Sequence, residues 1–213
     1  LKKVDDWNRF NENTGGTLVE KCCHFFDLMC FILQSEPKKI YCSGAQDVNH
    51  LDEIYNGQVP DILDNAFVVV DFSSGQRAML ELNMFADGSR FQESIVVVGS
   101  KAKIECKIPG PTRFWPKDSL GESPVPILTL SPRKPKDPKT LEIPIDTKLL
   151  EAGDHNGSTF YQHERFARVL RGEQKVEVTL QDGINAVLMG LAAQHSIETG
   201  EAIDLTDGEY RIY

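Results

Sequence analysis

The chain reads as an α+β protein, a mostly antiparallel open sheet with helices on one face. Three observations predict that class. Two strand pairs are joined by glycine-bearing loops too short for helical crossovers, a long proline-free apolar run lies near the start, and two glycine-stopped helical runs lie near the end.

The first 14 residues are polar, with Trp7 and Phe10 as anchors beside Asn8, Arg9 and Asn11, and they form the approach to a helix. That helix is predicted over residues 17–33, led by Gly15-Gly16 and free of proline. At about 100° per residue, Glu20, His24 and Asp27 fall within roughly 60° of one another. Leu18, Cys22, Phe25, Phe26, Met29, Ile32 and Leu33 fill the opposite side. A helix that is apolar nearly all round is normally buried, so the narrow polar stripe either lines a cleft or forms a thin solvent-exposed strip.

Glu36-Pro37 ends the helical signal and residues 39–48 read as a strand. The connection over 49–63 carries His50, Asp52, Glu53 and Asp61 and exceeds the usual connector length, which marks a site loop or an insertion. Residues 64–72 and 76–85 flank Ser73-Ser74-Gly75 as an antiparallel hairpin, and 90–98 and 101–108 repeat the arrangement across Gly99-Ser100. Four neighbouring strands are therefore expected.

Residues 109–138 hold eight of the eleven prolines and read as an extended excursion with strand-like pieces at 112–115 and 125–130. A further short edge strand is expected at 140–145. Helix returns over 158–171, stopped by Gly172, and over 183–199, stopped by Gly200 and preceded by a capping-box signature from Thr179 to Asp182. Gly190, Ala192 and Ala193 leave room there for close backbone packing. No repeat of fixed period is present, and residues 1–213 read as a single domain. Helices on one face of a sheet leave the other for solvent or a second subunit.

Composition excludes several classes. A net charge of −9 and a pI near 5.1 argue against nucleic acid or an anionic membrane surface as partner. No apolar run approaches the roughly 20 residues that cross a bilayer. The five cysteines, at 22, 23, 30, 42 and 106, lack CxxC spacing and read as small buried hydrophobes, so a reducing, cytoplasmic setting is expected. The start, Leu1-Lys2-Lys3-Val4, carries neither an initiator methionine nor a signal-like segment, and reads as a fragment or a processed chain.

Three chemistries compete for Glu20, His24 and Asp27. A histidine titrates near neutrality and a neighbouring carboxylate can orient it or hold substrate. A metal site would need a third ligand from His50, His155 or His163, and HExxH is absent, so no metal is expected. The third reading is purely structural, with His24 hydrogen-bonded in the core. GxSxG, GxGxxG and GKS or GKT loops are all absent, so neither nucleophilic catalysis nor dinucleotide binding by this chain alone is expected. His155-Asn156-Gly157-Ser158 and Tyr161 stand at the entrance of the penultimate helix, where free N–H groups can meet a ligand or where Ser158 simply caps the helix. His163 and His195 read as ordinary helix residues.

Gly15-Gly16 followed by Glu20-Lys21-Cys22-Cys23-His24-Phe25-Phe26-Asp27 resembles the Gly-Gly, acid-x-x-x-His-x-x-Asp helix of the C-terminal domain of the Gfo/Idh/MocA family of NAD(P)-dependent oxidoreductases, which includes glucose-fructose oxidoreductase and inositol dehydrogenases. The hairpin over 64–75, the turn Val98-Gly99-Ser100-Lys101-Ala102 and the closing helices at 166–172, 180–183 and 196–200 are similar to the family's as well. The resemblance implies a two-domain dehydrogenase whose N-terminal Rossmann half, with its glycine-rich loop and Glu-Lys-Pro motif, precedes Leu1 and is absent here. NAD or NADP would be bound mainly by that half, so cofactor contacts in this chain are unknown. The implied substrate is a small hydroxylated molecule such as a sugar or polyol, and the implied assembly is a homodimer or homotetramer through the open sheet face.

Carried over by position, His24 is the acid/base and Glu20 stands beside the substrate. Lys21, Asp27, Trp7, Arg9, His155, Asn156 and Tyr161 are candidate substrate contacts. Two features depart from the family pattern. Glu20 is one methylene longer than the usual aspartate, and Lys21 adds a cation that either binds an acidic substrate or forms a salt bridge. A noncatalytic binding or assembly module of the same fold, or a member using NAD for hydrolysis or elimination, are the alternative readings.

Overall fold

A computed structural model describes residues 4–206, so the first three residues of the polar approach lie outside it. In chain order the elements are a 3-10 turn (Val4–Arg9), α1 (Asn11–Thr14), α2 (Thr17–Glu20), α3 (Cys23–Leu33), β1 (Pro37–Ala45), β2 (Asn65–Phe72), β3 (Arg77–Asn83), β4 (Glu93–Val98), β5 (Ala102–Ile108), α4 (Lys117–Leu120), β6 (Ile127–Pro132), β7 (Lys139–Glu142), α5 (Thr147–Ala152), α6 (Ser158–Leu170), α7 (Leu180–Thr199) and β8 (Ile203–Asp204). The α+β class is as expected. The strands form two antiparallel four-stranded sheets, in the orders β3-β2-β1-β8 and β4-β5-β6-β7. The chain divides into two compact units, residues 1–86 with 177–213, and residues 87–176.

The two hairpins are therefore not four neighbouring strands, because β2–β3 and β4–β5 belong to different sheets. The second neighbour of β2 is β1, with Ile40 opposite Val70 and Cys42 opposite Val68. That register places Ile40 and Cys42 with Ala66, Val68, Val70 and Phe72 on one buried face. A slip of β1 by one residue would turn Ile40 and Cys42 outward, so burial fixes the register.

Helices α3 and α7 cover this inner face. Phe26 of α3 and Ala186, Met189, Ala192 and Ala193 of α7 join the same core as the strand residues. β8 is only two residues long and pairs with Lys39 and Ile40. Beyond it, Ser196 takes over. Its hydroxyl accepts from the Cys42 N–H at 2.9 Å, inside the protein, and donates to the Glu201 carbonyl at 2.6 Å. A buried N–H without that partner would cost about 1–3 kcal/mol.

The helix expected over residues 17–33 is broken. Lys21 and Cys22, with φ of −103° and −108°, separate α2 from α3. The break follows the point where α7 comes closest to α2. A Cβ at Gly190 would lie 2.8 Å from the Leu18 carbonyl oxygen and 3.0 Å from the Val19 Cα. The backbones pass so closely that only glycine fits.

Within the second unit, β4 to β7 alternate faces in register. Ile95, Cys106, Leu128 and Leu141 lie across one row, and Val97, Ile104 and Leu130 across another on the same side. The piece expected as a strand at 112–115 is instead a 3-10 turn, Thr112–Phe114, because Pro111 and Pro116 bracket it and supply no N–H for pairing. α5 was not foreseen; Asp146 caps it by accepting from the Lys148 N–H at 2.9 Å. At α6, Gly157 takes the cap position with φ of 85°, so Ser158 is the first helical residue rather than the cap. The capping box before α7 forms as expected between Thr179 and Asp182, and the helix starts at Leu180.

Gly190→Ala forces a methyl group against backbone that cannot yield. The expected loss is about 1–3 kcal/mol, read as a lower midpoint of urea unfolding; an unchanged midpoint would show that α7 can back away freely.

Candidate functional site

Glu20 closes α2, while His24 and Asp27 lie on the first turns of α3, on the far side of the break. The His24 side chain is exposed, and its ring lies 4.2 Å from that of Phe25. The Glu20 carboxylate is only 18% exposed and lies 3.0 Å from the Lys21 ammonium through either oxygen. Asp27 is half-buried. Burial raises its pKa, and the negative charge of Asp182 at the start of α7 raises it further. An accessible imidazole is a group that can exchange a proton with a bound ligand.

The approach segment is held by a second set of contacts. The Arg9 side chain, 8% exposed, places Nε 3.0 Å from Glu53 Oε2. Tyr55 donates its hydroxyl to the same oxygen at 2.8 Å, and His50 Nδ1 lies 3.0 Å from Oε1. Burial pushes the Glu53 carboxyl upward, but hydrogen bonds from His50, Tyr55 and Arg9 outweigh it and bring its pKa down to about 2. Nearby, Asp61 accepts from the Asn11 N–H at 2.7 Å, and its own N–H donates to the Arg9 carbonyl at 3.2 Å.

The loop over 49–63 is thus braced at its middle, and its flanks are fixed too. Buried Asp64 accepts from the N–H groups of Asp47, Val48 and Asn49, so that despite burial its pKa is lowered. Thr17, at the start of α2, donates its hydroxyl to the Leu63 carbonyl at 2.7 Å. Through these bonds the loop fastens the entry to α2. Sequence reading singled out the loop by length and polarity but missed Glu53, Tyr55 and Asp64 as its fixing points. The only local signal was the density of acids and histidine.

The structure brings Glu20, Lys21, His24 and Asp27 onto one pair of short helices. Arg9 is committed to Glu53, and Trp7 is partly exposed, its carbonyl accepting from the Asn13 side chain at 3.1 Å. His155, Asn156 and Tyr161 belong to the second unit. There Asn156, with φ of 54°, donates its side-chain amide to the Pro109 carbonyl at 3.2 Å, and Tyr161 meets Phe160 edge to face.

A cavity of about 460 Å³ in the first unit is lined in part by Glu36, Asn185, Met189 and Leu205, and by none of the predicted site residues. Among the described residues no group of three or more His, Cys, Asp or Glu side chains is placed to hold a metal ion. No helix among them is long and apolar enough to cross a membrane. All five cysteines are free, and burial pushes the Cys22 and Cys42 thiols up to about 12. Such thiols are inert at neutral pH.

The sequence pattern of an oxidoreductase family, the C-terminal alpha/beta domain of the Gfo/Idh/MocA proteins, matches residues 2–205. Solved structures share the fold. A protein assigned as an oxidoreductase from Thermotoga maritima is 17% identical with a TM-score of 0.63, covering 95% of this chain and 51% of its own. The aldose-aldose oxidoreductase of Caulobacter crescentus, solved with glycerol, is 13% identical with a TM-score of 0.62, over 93% of this chain and 50% of that one. The WlbA dehydrogenase of Bordetella pertussis, solved with NADH and UDP-GlcNAcA, is 13% identical with a TM-score of 0.58, over 96% and 51%. The chain thus spans about half the length of these proteins. No curated protein sequence aligns with it at a significant level.

The Glu53 clamp gives an acid signature. A folded pKa of about 2 against an ordinary 4.5 means that its stabilisation is complete above the ordinary value and is lost as pH falls toward 2. The urea midpoint should therefore drop across that interval, and Glu53→Gln should flatten the drop while exposing the loop over 49–63 to protease at neutral pH. Unchanged proteolysis of the variant would rule out the bracing role.

Proposed function

The chain belongs to the Gfo/Idh/MocA oxidoreductase family, as its C-terminal alpha/beta domain, and from that premise we propose that it supplies the substrate side of an NAD(P)-dependent enzyme acting on hydroxyl-bearing molecules. The observation that carries this reading is the exposed His24 imidazole on the first turn of α3, with Asp27 three residues on and Glu20 at the end of α2.

The dinucleotide itself does not fit this chain. Both sheets are wholly antiparallel, and the described residues contain no strand-loop-helix crossover that would present N–H groups to a pyrophosphate. The nicotinamide, held by a separate Rossmann half, would accept or return hydride at the carbinol carbon. This chain's part is the proton. His24 takes it from the substrate hydroxyl during oxidation and gives it back during reduction. Glu20 receives a substrate hydroxyl as a hydrogen-bond acceptor, and Asp27 stands three residues beyond His24 on α3. In this reading Trp7 offers an apolar ring face to a sugar.

The outward face of the first sheet supports assembly. Tyr41, Phe67, Val69 and Met79 form a contiguous apolar patch in register across β1, β2 and β3. Phe67 is 54% and Met79 64% exposed. Such a patch on a sheet is covered when two copies meet, so a homodimer or homotetramer is proposed.

In the complete enzyme, His24→Ala should lower kcat by about 10²-fold or more with NADH binding unaltered. Loss of NADH binding, or full activity in the variant, would remove the acid/base role. Val69→Arg should reduce the assembly mass in sedimentation by at least one subunit, and an unchanged mass would place the interface elsewhere.

A further inference from the structure

We propose that Asn56 is a site of spontaneous covalent modification, where attack by the Gly57 nitrogen converts the asparagine to aspartyl and isoaspartyl forms and loosens the clamp on Arg9. Asn-Gly occurs twice in the chain, at 56–57 and at 156–157. The two pairs stand in opposite surroundings.

Asn56 and Gly57 form a turn within the loop over 49–63. Tyr55 and Gln58 exchange both backbone hydrogen bonds, 2.8 Å from the Tyr55 N–H and 2.9 Å from the Gln58 N–H, and the two residues between them take φ of 51° and 85°. This is the two-residue hairpin turn that Asn-Gly favours, with both central residues left-handed. Both are exposed, and nothing lies within 4 Å of the place a Cβ would take at Gly57. Among the described residues neither the Asn56 amide nor the Gly57 N–H has a hydrogen-bond partner.

At the second pair the amide is held and the glycine is covered. Asn156 donates its side-chain amide to the Pro109 carbonyl at 3.2 Å. Gly157 is buried, and a Cβ on it would meet Leu149 at 3.2 Å and Tyr161 at 3.6 Å.

The Gly57 nitrogen and the Asn56 Cγ belong to adjacent residues, so a bond between them closes a five-membered ring at high effective concentration. The nitrogen gives up its proton to solvent, the N–Cγ bond forms, the Cγ–Nδ2 bond breaks, and Nδ2 leaves as ammonia. Water then opens the succinimide. Addition at Cγ leaves aspartate; addition at the main-chain carbonyl leaves isoaspartate, with the chain running on through Cβ and Cγ.

Isoaspartate lengthens the backbone by one methylene in a turn that has only two residues. The paired bonds between Tyr55 and Gln58 cannot both survive that insertion, and the Tyr55 hydroxyl, 2.8 Å from Glu53 Oε2, moves with its backbone. Glu53 is the carboxylate that also holds Arg9 and His50. Modification at the turn thus removes one of the donors that fix the loop against the approach segment.

The test is ageing of the complete protein in mildly alkaline buffer, followed by peptide mapping. Exchange of amide nitrogen for oxygen at Asn56 should outpace that at Asn156 by about tenfold or more, because a held amide reacts only when its segment opens. Isoaspartate at residue 56 is read by methyl transfer from labelled S-adenosylmethionine with a protein isoaspartyl methyltransferase. Aged protein should then be cut faster by protease within 49–63. Asn56→Gly, which keeps the left-handed turn and removes the reacting amide, should take up no label there and resist cleavage throughout. Equal rates at the two asparagines, or a faster one at Asn156, overturn the assignment of the site. Isoaspartate formed at residue 56 without faster cleavage overturns the loosening of the clamp.

Discussion

The approach of α7 to α2 at Gly190 is the constraint on which the first unit depends. With no Cβ there, the two backbones come within contact of one another, and α7 can then lie against α3 and across β1 at once. Ser196 uses the same placement to satisfy the part of β1 that the short β8 leaves uncovered. A helix set further out would strand the Cys42 N–H and lift Met189 from its position against Cys30. The orientation of the site helix is thus fixed from behind, by packing, and not by the polar residues it displays.

The acidic character of the chain has a matching internal logic. Several carboxylates act as acceptors that organise backbone. Asp64 gathers three successive N–H groups, Asp61 receives the start of α1, Asp146 caps α5 and Asp182 closes the box before α7. Glu53 does the same with side chains. Donors lower the pKa values of Asp64, Asp182 and Glu53, so part of the chain's negative charge ties down its loops.

Much of this was readable from sequence, and the parts that were not share a cause. The long helices, the β2–β3 hairpin, the capping box and the helix-stopping glycines are local, set by periodicity and turn chemistry within a few residues. The stripe of Glu20, His24 and Asp27 was read on one continuous helix, which the structure divides after Glu20. The break at Lys21 and Cys22 has no proline to announce it, and it follows residues that pack against Gly190, far along the chain. The division of strands between two sheets has no local signal either: β3 ends as an edge strand, and β4 pairs with β5 in the other sheet. Arg9 looked available for substrate until Glu53, 44 residues away, claimed it. α5 hid because its capping aspartate follows a proline-rich stretch, and β8 because two residues carry no periodic signal.

The discontinuity of the first unit also bears on how the protein is made. Its sheet is laid down by residues 37–83, but the helix that covers the inner face spans Leu180–Thr199, and the whole second unit is synthesised in between. While the chain emerges, Val68, Val70 and Phe72 have no cover, and the closing contacts form over a loop of about a hundred residues. Loop closure on that scale is slow relative to local helix formation, so the nascent first unit stays collapsed without its final core until the last helix is released. The second unit, continuous in sequence, is complete before then. The order of folding is therefore inverted with respect to the order of synthesis, and the domain that begins first finishes last.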